Sequence, residues 1–193
     1  MSGKLILVTG GGRSGKSIFA EKMVHTLGKK CAYIATAQVT DEEMQVRVEQ
    51  HKARRQDDFW LNYEVPLNAH AAIAEVQGAE SILFDCITIY LSNILYSENN
   101  INCSKAEKEQ AVFQQIELLL KAARESGKNV VFVTNELGSG LVPFEPVSRE
   151  FRDLAGLVNQ LVAKHMDEVY LVVCGIAVNI KDLAVELADG GKE

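Results

Sequence analysis

Residues 4–17 read Lys-Leu-Ile-Leu-Val-Thr-Gly-Gly-Gly-Arg-Ser-Gly-Lys-Ser. The first six residues form an apolar run of strand length, and the stretch from Gly10 to Ser17 matches the pattern G-x-x-x-x-G-K-S. Glycines let the backbone curl so that its N–H groups converge on phosphate oxygens, and a helix beginning near Lys16 adds the positive end of its dipole. The stretch therefore predicts a strand, a phosphate-binding loop and a helix, in that order.

The side chains of this loop predict which ligands it holds. Lys16 would reach the terminal phosphates of a nucleoside triphosphate, and the Ser17 hydroxyl would ligate Mg²⁺. Asp85 ends a later apolar run, where an acid commonly completes the Mg²⁺ shell, although it could also be an ordinary strand-end acid. We therefore predict a magnesium site at Ser17 and Asp85. The predicted nucleotide-binding loop consists of Gly10, Gly11, Gly12, Arg13, Ser14, Gly15, Lys16 and Ser17.

Apolar runs alternate with helical patterns along the rest of the chain. The runs are nearly continuous, which is typical of strands buried on both faces of a parallel sheet. They cover residues 4–9, 30–36, 80–86, 129–134 and 168–174, and the helical patterns cover 16–27, 41–55, 105–126 and 148–166. This alternation predicts an α/β fold of the P-loop NTPase-like, RecA-type class, with a mostly parallel sheet flanked by helices in a single domain, residues 1–193. Trp60 and Glu64 are expected in an irregular connection.

The composition limits the classes of partner. The 193 residues are 47% apolar, and 20 basic against 26 acidic residues give a net charge of −6. The global charge therefore does not favour nucleic acid or an anionic membrane as a partner. No apolar stretch approaches the roughly 18 residues that a membrane span needs. The four cysteines lack metal-ligand spacing, so we expect buried, reduced thiols in a cytoplasmic protein. They are Cys31, Cys86, Cys103 and Cys174.

A basic helical pattern covers residues 44–55. Arg47, His51 and Arg55 are spaced at i, i+4 and i+8, which puts them on one face of a helix. A histidine between arginines resists protonation, and a neutral imidazole is what nucleophilic attack on phosphorus needs. The alternative is a solvated charged helix with an incidental histidine, and the helix alone favours this alternative.

Polar residues also follow the apolar runs directly. Thr36, Asn135 and Glu136 stand where ligands bind in open α/β sheets, although each could be a turn former. The stretch 137–147 contains two glycines and two prolines and is predicted to be a functional loop. The next helix begins with Arg149, Arg152 and Asp153, which could contact phosphate or pair with one another.

Taken together, these motifs resemble a known family. The chain is similar, from about Leu5 to Lys181, to the bifunctional adenosylcobinamide kinase/adenosylcobinamide-phosphate guanylyltransferases of cobalamin biosynthesis. The more specific motifs are Asp-Glu-Glu-Met-x-x-Arg-Val-x-x-His-x-x-Arg (41–54) and Thr-Asn-Glu-Leu-Gly-x-Gly-Leu-Val-Pro (134–143). The others are residues 9–17, 33–36, 84–88, 149–160 and 171–175, with Trp60 and Glu64. Gly12 stands where many members have alanine.

The resemblance implies a two-step activity. The aminopropanol hydroxyl of adenosylcobinamide takes the terminal phosphoryl group of GTP or ATP. A histidine, which falls on His51, then takes GMP from GTP and passes it to adenosylcobinamide phosphate, giving adenosylcobinamide-GDP. The implied nucleotide contacts beyond the loop are Ala35, Thr36, Ala37, Lys52, Ala53, Arg54, Arg55, Glu64 and Asp85. The resemblance also implies a homo-oligomer, specifically a trimer, and catalytic roles for His51 and Lys16.

Two other functions remain open at this point. One is a single-function kinase for another small alcohol, in which His51 is incidental. The other is a RecA-type nucleotide-dependent ATPase or switch, which would need a partner-binding surface. The length of the chain counts against the second, because little sequence remains beyond the core for such a surface.

Overall fold

The computed structural model describes residues 3–38, 55 and 57–185. Within these ranges, seven strands form one sheet in the order β3-β2-β4-β5-β1-β6-β7. The strands are β1 (Leu5–Gly10), β2 (Cys31–Ala35), β3 (Trp60–Glu64), β4 (Ser81–Asp85), β5 (Asn129–Asn135), β6 (Glu168–Val173) and β7 (Ile176–Asn179). All pairs are parallel except β6 with β7, which form an antiparallel hairpin. The predicted mostly parallel α/β architecture is confirmed.

Five α-helices lie in the same described ranges. They are α1 (Lys16–Leu27), α2 (Ala69–Glu75), α3 (Ile87–Leu95), α4 (Lys105–Glu125) and α5 (Pro146–His165), and a 3₁₀ turn covers Lys181–Leu183. The five predicted strands and three of the four predicted helices agree with the structure to within two residues at each end. The fourth predicted helix, 41–55, lies almost wholly outside the described residues.

The hydrophobic core occupies both faces of the sheet because side chains alternate along each strand. On one face, Leu5 and Leu7 of β1 pack with residues from α2 to α5. On the other face, Ile6 and Val8 pack with Ala20 and Val24 of α1. The central strands are therefore buried on both sides, as their continuous apolar runs predicted.

Several expectations are corrected. Trp60 and Glu64 begin and end strand β3 rather than lying in an irregular connection, and the alternating exposure of that strand suits a sheet edge. The hairpin strand β7 and the helices α2 and α3 were not predicted. Cys31 and Cys86 are buried as expected, but Cys103 is half-buried and Cys174 is exposed, in the turn of the hairpin. The apolar run before Cys174 packs on the core, whereas the turn itself projects into solvent.

Candidate active site

The phosphate loop, residues 10–17, connects the end of β1 to the start of α1. Gly15 adopts a left-handed backbone conformation (φ 95°) and immediately precedes Lys16, the first residue of α1. The ammonium of Lys16 turns back over the loop and donates a hydrogen bond to the carbonyl oxygen of Gly11 at 3.1 Å. The structure therefore shows the strand, glycine loop and helix in the order that phosphate binding requires.

The β6–β7 hairpin packs against this loop from behind. A Cβ on Gly10 would come within 2.4 Å of the carbonyl oxygen of Val172, so only glycine fits there. The backbone N–H of Gly175 donates to the carbonyl oxygen of Ser14 at 2.8 Å. A Cβ on Gly12, by contrast, would meet nothing within 4 Å. The hairpin thus fixes the path of the loop at Gly10 and Ser14, while a side chain at position 12 would face open space.

Asp85, the last residue of β4, lies across the sheet from the loop, with β5 between β4 and β1. Partial burial lowers the pKa of the Lys16 ammonium, while the charge of Asp85 acts in the opposite direction. The Cys86 thiol itself is neutral, because burial raises its pKa to about 12. Asp85 also accepts a hydrogen bond from the hydroxyl of Tyr33 at 3.2 Å. The carboxylate is therefore close enough to Lys16 to act on its charge.

Three predicted contact residues form one row across the carboxyl edge of the sheet. Ala35 of β2 is paired in register with Glu64 of β3 on one side and with Asp85 of β4 on the other. Glu64 is exposed, Ala35 is half-buried, and Ala37 follows them, also half-buried, just beyond the strand. The strand order therefore brings together positions that are up to 50 residues apart in the sequence.

Thr36, the next predicted contact, is completely buried, and its hydroxyl is occupied within the protein. It donates to the carbonyl oxygen of Cys86 and accepts from the backbone N–H of Cys86, both at 2.9 Å. The amide of Asn93 donates to the carbonyl oxygen of Thr36 at 2.7 Å and ties α3 to this turn. The Thr36 side chain thus holds β2 to the residue after Asp85, which the sequence did not reveal.

Arg55 is described, whereas His51, Lys52, Ala53, Arg54 and Arg47 lie outside the described residues. The Arg55 side chain is buried and forms an ion pair with Glu21 of α1, with Nη1 to Oε1 at 2.8 Å. Its guanidinium also lies 3.5 Å above the centre of the Tyr33 ring. The contacts of Arg55 with Glu21 and Tyr33 were missed by sequence reasoning, because no spacing along the chain links Arg55 to Glu21 or to the 33–36 motif.

The loop between β5 and α5 is held by polar contacts at both ends. The Glu136 carboxylate accepts hydrogen bonds from the backbone of Gly138 and Ser139 at 2.6 and 3.0 Å. Burial opposes ionisation of Glu136, but these bonds and the charge of Arg152 outweigh it and lower its pKa. Arg152 donates to the carbonyl oxygen of Gly138 at 2.5 Å, and Arg149 donates to those of Pro143 and Phe144. In this structure both arginines therefore brace the loop.

Asn135 takes part in a polar network beneath that loop. Its N–H donates to the hydroxyl of Thr88, and its carbonyl oxygen accepts from the amide of Asn159. The hydroxyl of Thr134 connects these two partners, at 3.2 Å from the Thr88 oxygen and 2.8 Å from the Asn159 oxygen. The network ties α3 and α5 to the end of β5, so Asn135 is held next to its register partner Gly10.

No group of three or more His, Cys, Asp and Glu side chains in the described ranges could hold a metal ion. None of the helices in the same ranges is long and apolar enough to cross a membrane.

The sheet, the glycine loop with its lysine, and the strand-end aspartate define the chain as a phosphate-loop nucleotide-binding protein of the α/β class. Comparison with known proteins then specifies the family. Residues 6–180 match the family model "Cobinamide kinase / cobinamide phosphate guanyltransferase". The chain belongs to this family, and the predictions of the family and of an enzyme are confirmed.

Characterised relatives match over nearly their whole length. The bifunctional adenosylcobalamin biosynthesis protein CobU of Salmonella typhimurium is 41% identical, over 92% of this chain and 99% of that protein. Its Escherichia coli counterpart is 39% identical with the same coverage, and the Pseudomonas aeruginosa protein CobP is 35% identical, over 91% of this chain and 96% of that protein.

Among solved structures, two more distant proteins resemble the chain. A KaiC-like protein from Pyrococcus horikoshii has a TM-score of 0.49 at 11% identity, covering 88% of this chain and 71% of its own. The RadB recombinase has a TM-score of 0.46 at 16% identity, covering 88% and 74%. The fold class rests on the strand order and the phosphate loop described above, and not on these scores.

Proposed function

We propose that this protein is a bifunctional enzyme of adenosylcobalamin biosynthesis that phosphorylates adenosylcobinamide and then attaches GMP to the product. The observation that carries the proposal is the family match over residues 6–180, which includes both the phosphate loop and the segment with His51. That match favours two activities over a single-function kinase or a RecA-type switch, because the match is to a family described by both reactions.

The kinase step uses the phosphate loop. The aminopropanol hydroxyl of adenosylcobinamide attacks the γ-phosphorus of GTP or ATP, the bond to the β-phosphate oxygen breaks, and the nucleoside diphosphate leaves. Loop N–H groups and the Lys16 ammonium offset the charge on the transferring phosphoryl group. Because the Lys16 ammonium already lies over the loop, a modest swing of its flexible side chain brings it to the terminal phosphates.

The residues present fit a magnesium ion. The Ser17 hydroxyl opens α1, the Asp85 carboxylate lies at the same sheet edge, and the charge of Asp85 acts on Lys16. Hydroxyl and carboxylate oxygens are the ligands that Mg²⁺ prefers, with phosphate oxygens and water completing its shell. Held by Ser17 and Asp85, a magnesium ion would supply positive charge that offsets the charge of the triphosphate.

The guanylyltransferase step uses His51. A ring nitrogen attacks the α-phosphorus of GTP, pyrophosphate leaves, and a phosphoramidate forms between the imidazole and GMP. A phosphate oxygen of adenosylcobinamide phosphate then attacks the same phosphorus and releases the histidine. Passing GMP through the protein replaces one difficult displacement by two easier ones. The proposed GTP contacts for this step are those implied by the resemblance: Ala35, Thr36, Ala37, Lys52, Ala53, Arg54, Arg55, Glu64 and Asp85. The Arg55 side chain is engaged by Glu21 and the Tyr33 ring. Thr36 is completely buried, and its N–H and carbonyl are bonded to Asp85 and Asn93, so it would serve this step by holding the turn beside Asp85.

We place the corrinoid at the loop 138–146. Leu141 and Phe144 are 96% and 92% exposed although the loop itself is braced, and Leu141 also lines a cavity of about 420 Å³. The loop continues directly from β5, and the backbone N–H of Glu136 donates to the carbonyl oxygen of Gly10. Exposed apolar side chains on a loop whose backbone is braced next to the phosphate loop suit a large ring with an apolar face.

Labelling with GTP carrying ³²P at the α-phosphate tests the guanylyltransferase step. The wild-type chain should retain label that is acid-labile and base-stable, as a phosphoramidate is, and His51→Ala should retain none. His165→Ala, which removes an exposed histidine from the end of α5, is the matched control and should label normally. Unlabelled wild type, or label that persists in His51→Ala, would refute the assignment.

Phosphorylation of cobinamide tests the kinase step. Lys16→Ala should lower the rate by at least about a hundredfold, because it removes the positive charge that stabilises the phosphoryl group in the transition state. Lys22→Ala, an exposed lysine on the same helix, should leave the rate within about twofold. Retained activity in Lys16→Ala would remove the phosphate loop from this chemistry.

A further inference from the structure

A buried arginine sits beside the phosphate-loop helix. Arg55 is 4% exposed. Burying a guanidinium costs free energy unless its charge is paired and its donors are satisfied. The Glu21 carboxylate of α1, 2.8 Å from Nη1, supplies the pairing, and both side chains are largely buried. Removing one partner of such a pair leaves an unpaired buried charge and is strongly destabilising. The pair therefore fixes residue 55 to helix α1.

The second partner of Arg55 extends this contact to the catalytic edge. The guanidinium lies 3.5 Å above the Tyr33 ring, and Tyr33 donates a hydrogen bond to Asp85. Trp60 packs edge-on against the same ring, with centroids 6.2 Å apart. Glu21, Arg55, Tyr33 and Asp85 thus form one continuous chain of contacts.

Arg55 also limits where His51 can be. His51 lies four positions before Arg55, and four extended residues span at most about 14 Å. Whatever conformation residues 51–54 adopt, the His51 backbone is tethered within that distance of the Arg55 backbone. Because Glu21 lies one turn after Ser17 on α1, the ion pair between Arg55 and Glu21 lies next to the phosphate loop.

We infer that Arg55 is a positioning residue for guanylyl transfer, which clamps the end of the His51 segment to the phosphate-loop helix through Glu21 and Tyr33. The inference rests on the proposed function. It assigns the Arg55 side chain a role other than nucleotide contact, because the guanidinium faces Glu21 and the Tyr33 ring. Its Nε has no hydrogen-bond partner among the described residues, so a direct contact to GTP is the rival to be tested.

The test compares two rates in each variant: single-turnover labelling of the chain by α-labelled GTP, and phosphorylation of cobinamide. Arg55→Met should lower the labelling rate at saturating GTP by at least about tenfold, and by clearly more than the kinase rate. Arg55→Lys, which keeps the charge, should recover part of the labelling rate. Glu21→Gln should lower it in the same direction, and the double variant Glu21→Gln/Arg55→Met should be little worse than Arg55→Met, because the two residues act as a pair.

Arg124→Met is the matched control. It removes another arginine–carboxylate pair, with Asp167, which accepts from the N–H of Leu5 at the opposite end of β1. The ratio of the two rates should not change in this variant.

Three outcomes would overturn the inference. Labelling and kinase rates that fall together in Arg55→Met would show a merely structural role, and labelling restored by more GTP would show a direct nucleotide contact. Normal labelling in Arg55→Met would show no role at all. A wild-type chain that takes no label overturns the proposed function and the inference with it, whereas the other results concern Arg55 alone.

Discussion

The charge of Lys16 depends on its position at the junction of loop and helix. The Lys16 ammonium is partly buried over the loop, and this burial lowers its pKa below the ordinary lysine value of 10.5. Triphosphate binding favours the charged form, so affinity and protonation of this group are linked. The sequence predicted the identity and role of this lysine, but the lowered pKa depends on what packs around it.

This linkage predicts a pH dependence of GTP binding. The charged form binds, so log Kd should be flat at low pH and rise once the pH exceeds the pKa of Lys16 in the free protein. Because that pKa is lowered, the rise should begin below pH 10.5. Titrating the Kd for a non-hydrolysable GTP analogue against pH measures it. Lys16→Arg, whose side chain does not titrate in this range, should lack the break, and a break in both would assign it to another group.

The buried Thr36 side chain stabilises the fold through its hydrogen bonds to Cys86. Thr36→Val keeps the shape but leaves the backbone N–H of Cys86 without its partner in a buried site, while the Cys86 carbonyl oxygen keeps the N–H of Tyr90. An unpaired buried donor costs about 1–3 kcal/mol, so the free energy of unfolding should fall by about 1–3 kcal/mol. Urea denaturation measures the change. Thr36→Ser keeps the hydroxyl and should lose less, and equal losses would mean that the methyl group, not the hydrogen bonds, matters.

At the scale of elements, how closely a strand or helix could be predicted from the sequence depends on how that element is buried. The central strands have continuous apolar runs because both of their faces are covered, and their bounds were predicted closely. The strand β3 has one exposed face, so its apolar residues alternate and the signal is short. The helix α3 reads Ile-Thr-Ile-Tyr-Leu-Ser-Asn-Ile-Leu, whose β-branched residues favour a strand. Packing on the core overrides that local preference, and the sequence alone does not show it.

The junction of the phosphate loop with the β6–β7 hairpin predicts unequal effects for two glycines. Gly10→Ala places a methyl group 2.4 Å from the backbone oxygen of Val172, which cannot move cheaply, so the loop must shift. The Kd for GTP should rise at least about tenfold. Gly12→Ala meets open space, and many members of the family have alanine there, so its Kd should stay within about twofold. Calorimetric titration of both variants checks this, and similar affinities would mean that the hairpin does not hold the loop.

At the scale of the whole molecule, the exposed edge of the sheet bears on assembly. The last strand, β7, leaves Ile176 and Val178 exposed, and an open apolar edge is a surface that proteins commonly cover. The trimer implied by the family resemblance, the cytoplasmic location and the single domain of residues 1–193 stay predictions.

Sedimentation equilibrium tests the assembly. The purified protein should sediment with the mass of three chains of 21.2 kDa each over micromolar concentrations. Val178→Ser, which makes the edge less apolar, provides a comparison: unchanged assembly in that variant would place the contact elsewhere on the molecule. A wild-type mass of one chain would contradict the prediction of a homo-oligomer.

The sequence by itself determined the phosphate loop, the buried strands around it and the family. These features could be read because their chemistry is local: eight consecutive residues make the loop, and each buried strand is one continuous apolar run. Only the tertiary structure decided that Ala35, Glu64 and Asp85 share one row and that Arg55 pairs with Glu21 over Tyr33. These contacts depend on the order of the strands in the sheet, which joins residues up to 50 positions apart and leaves no periodic trace along the chain.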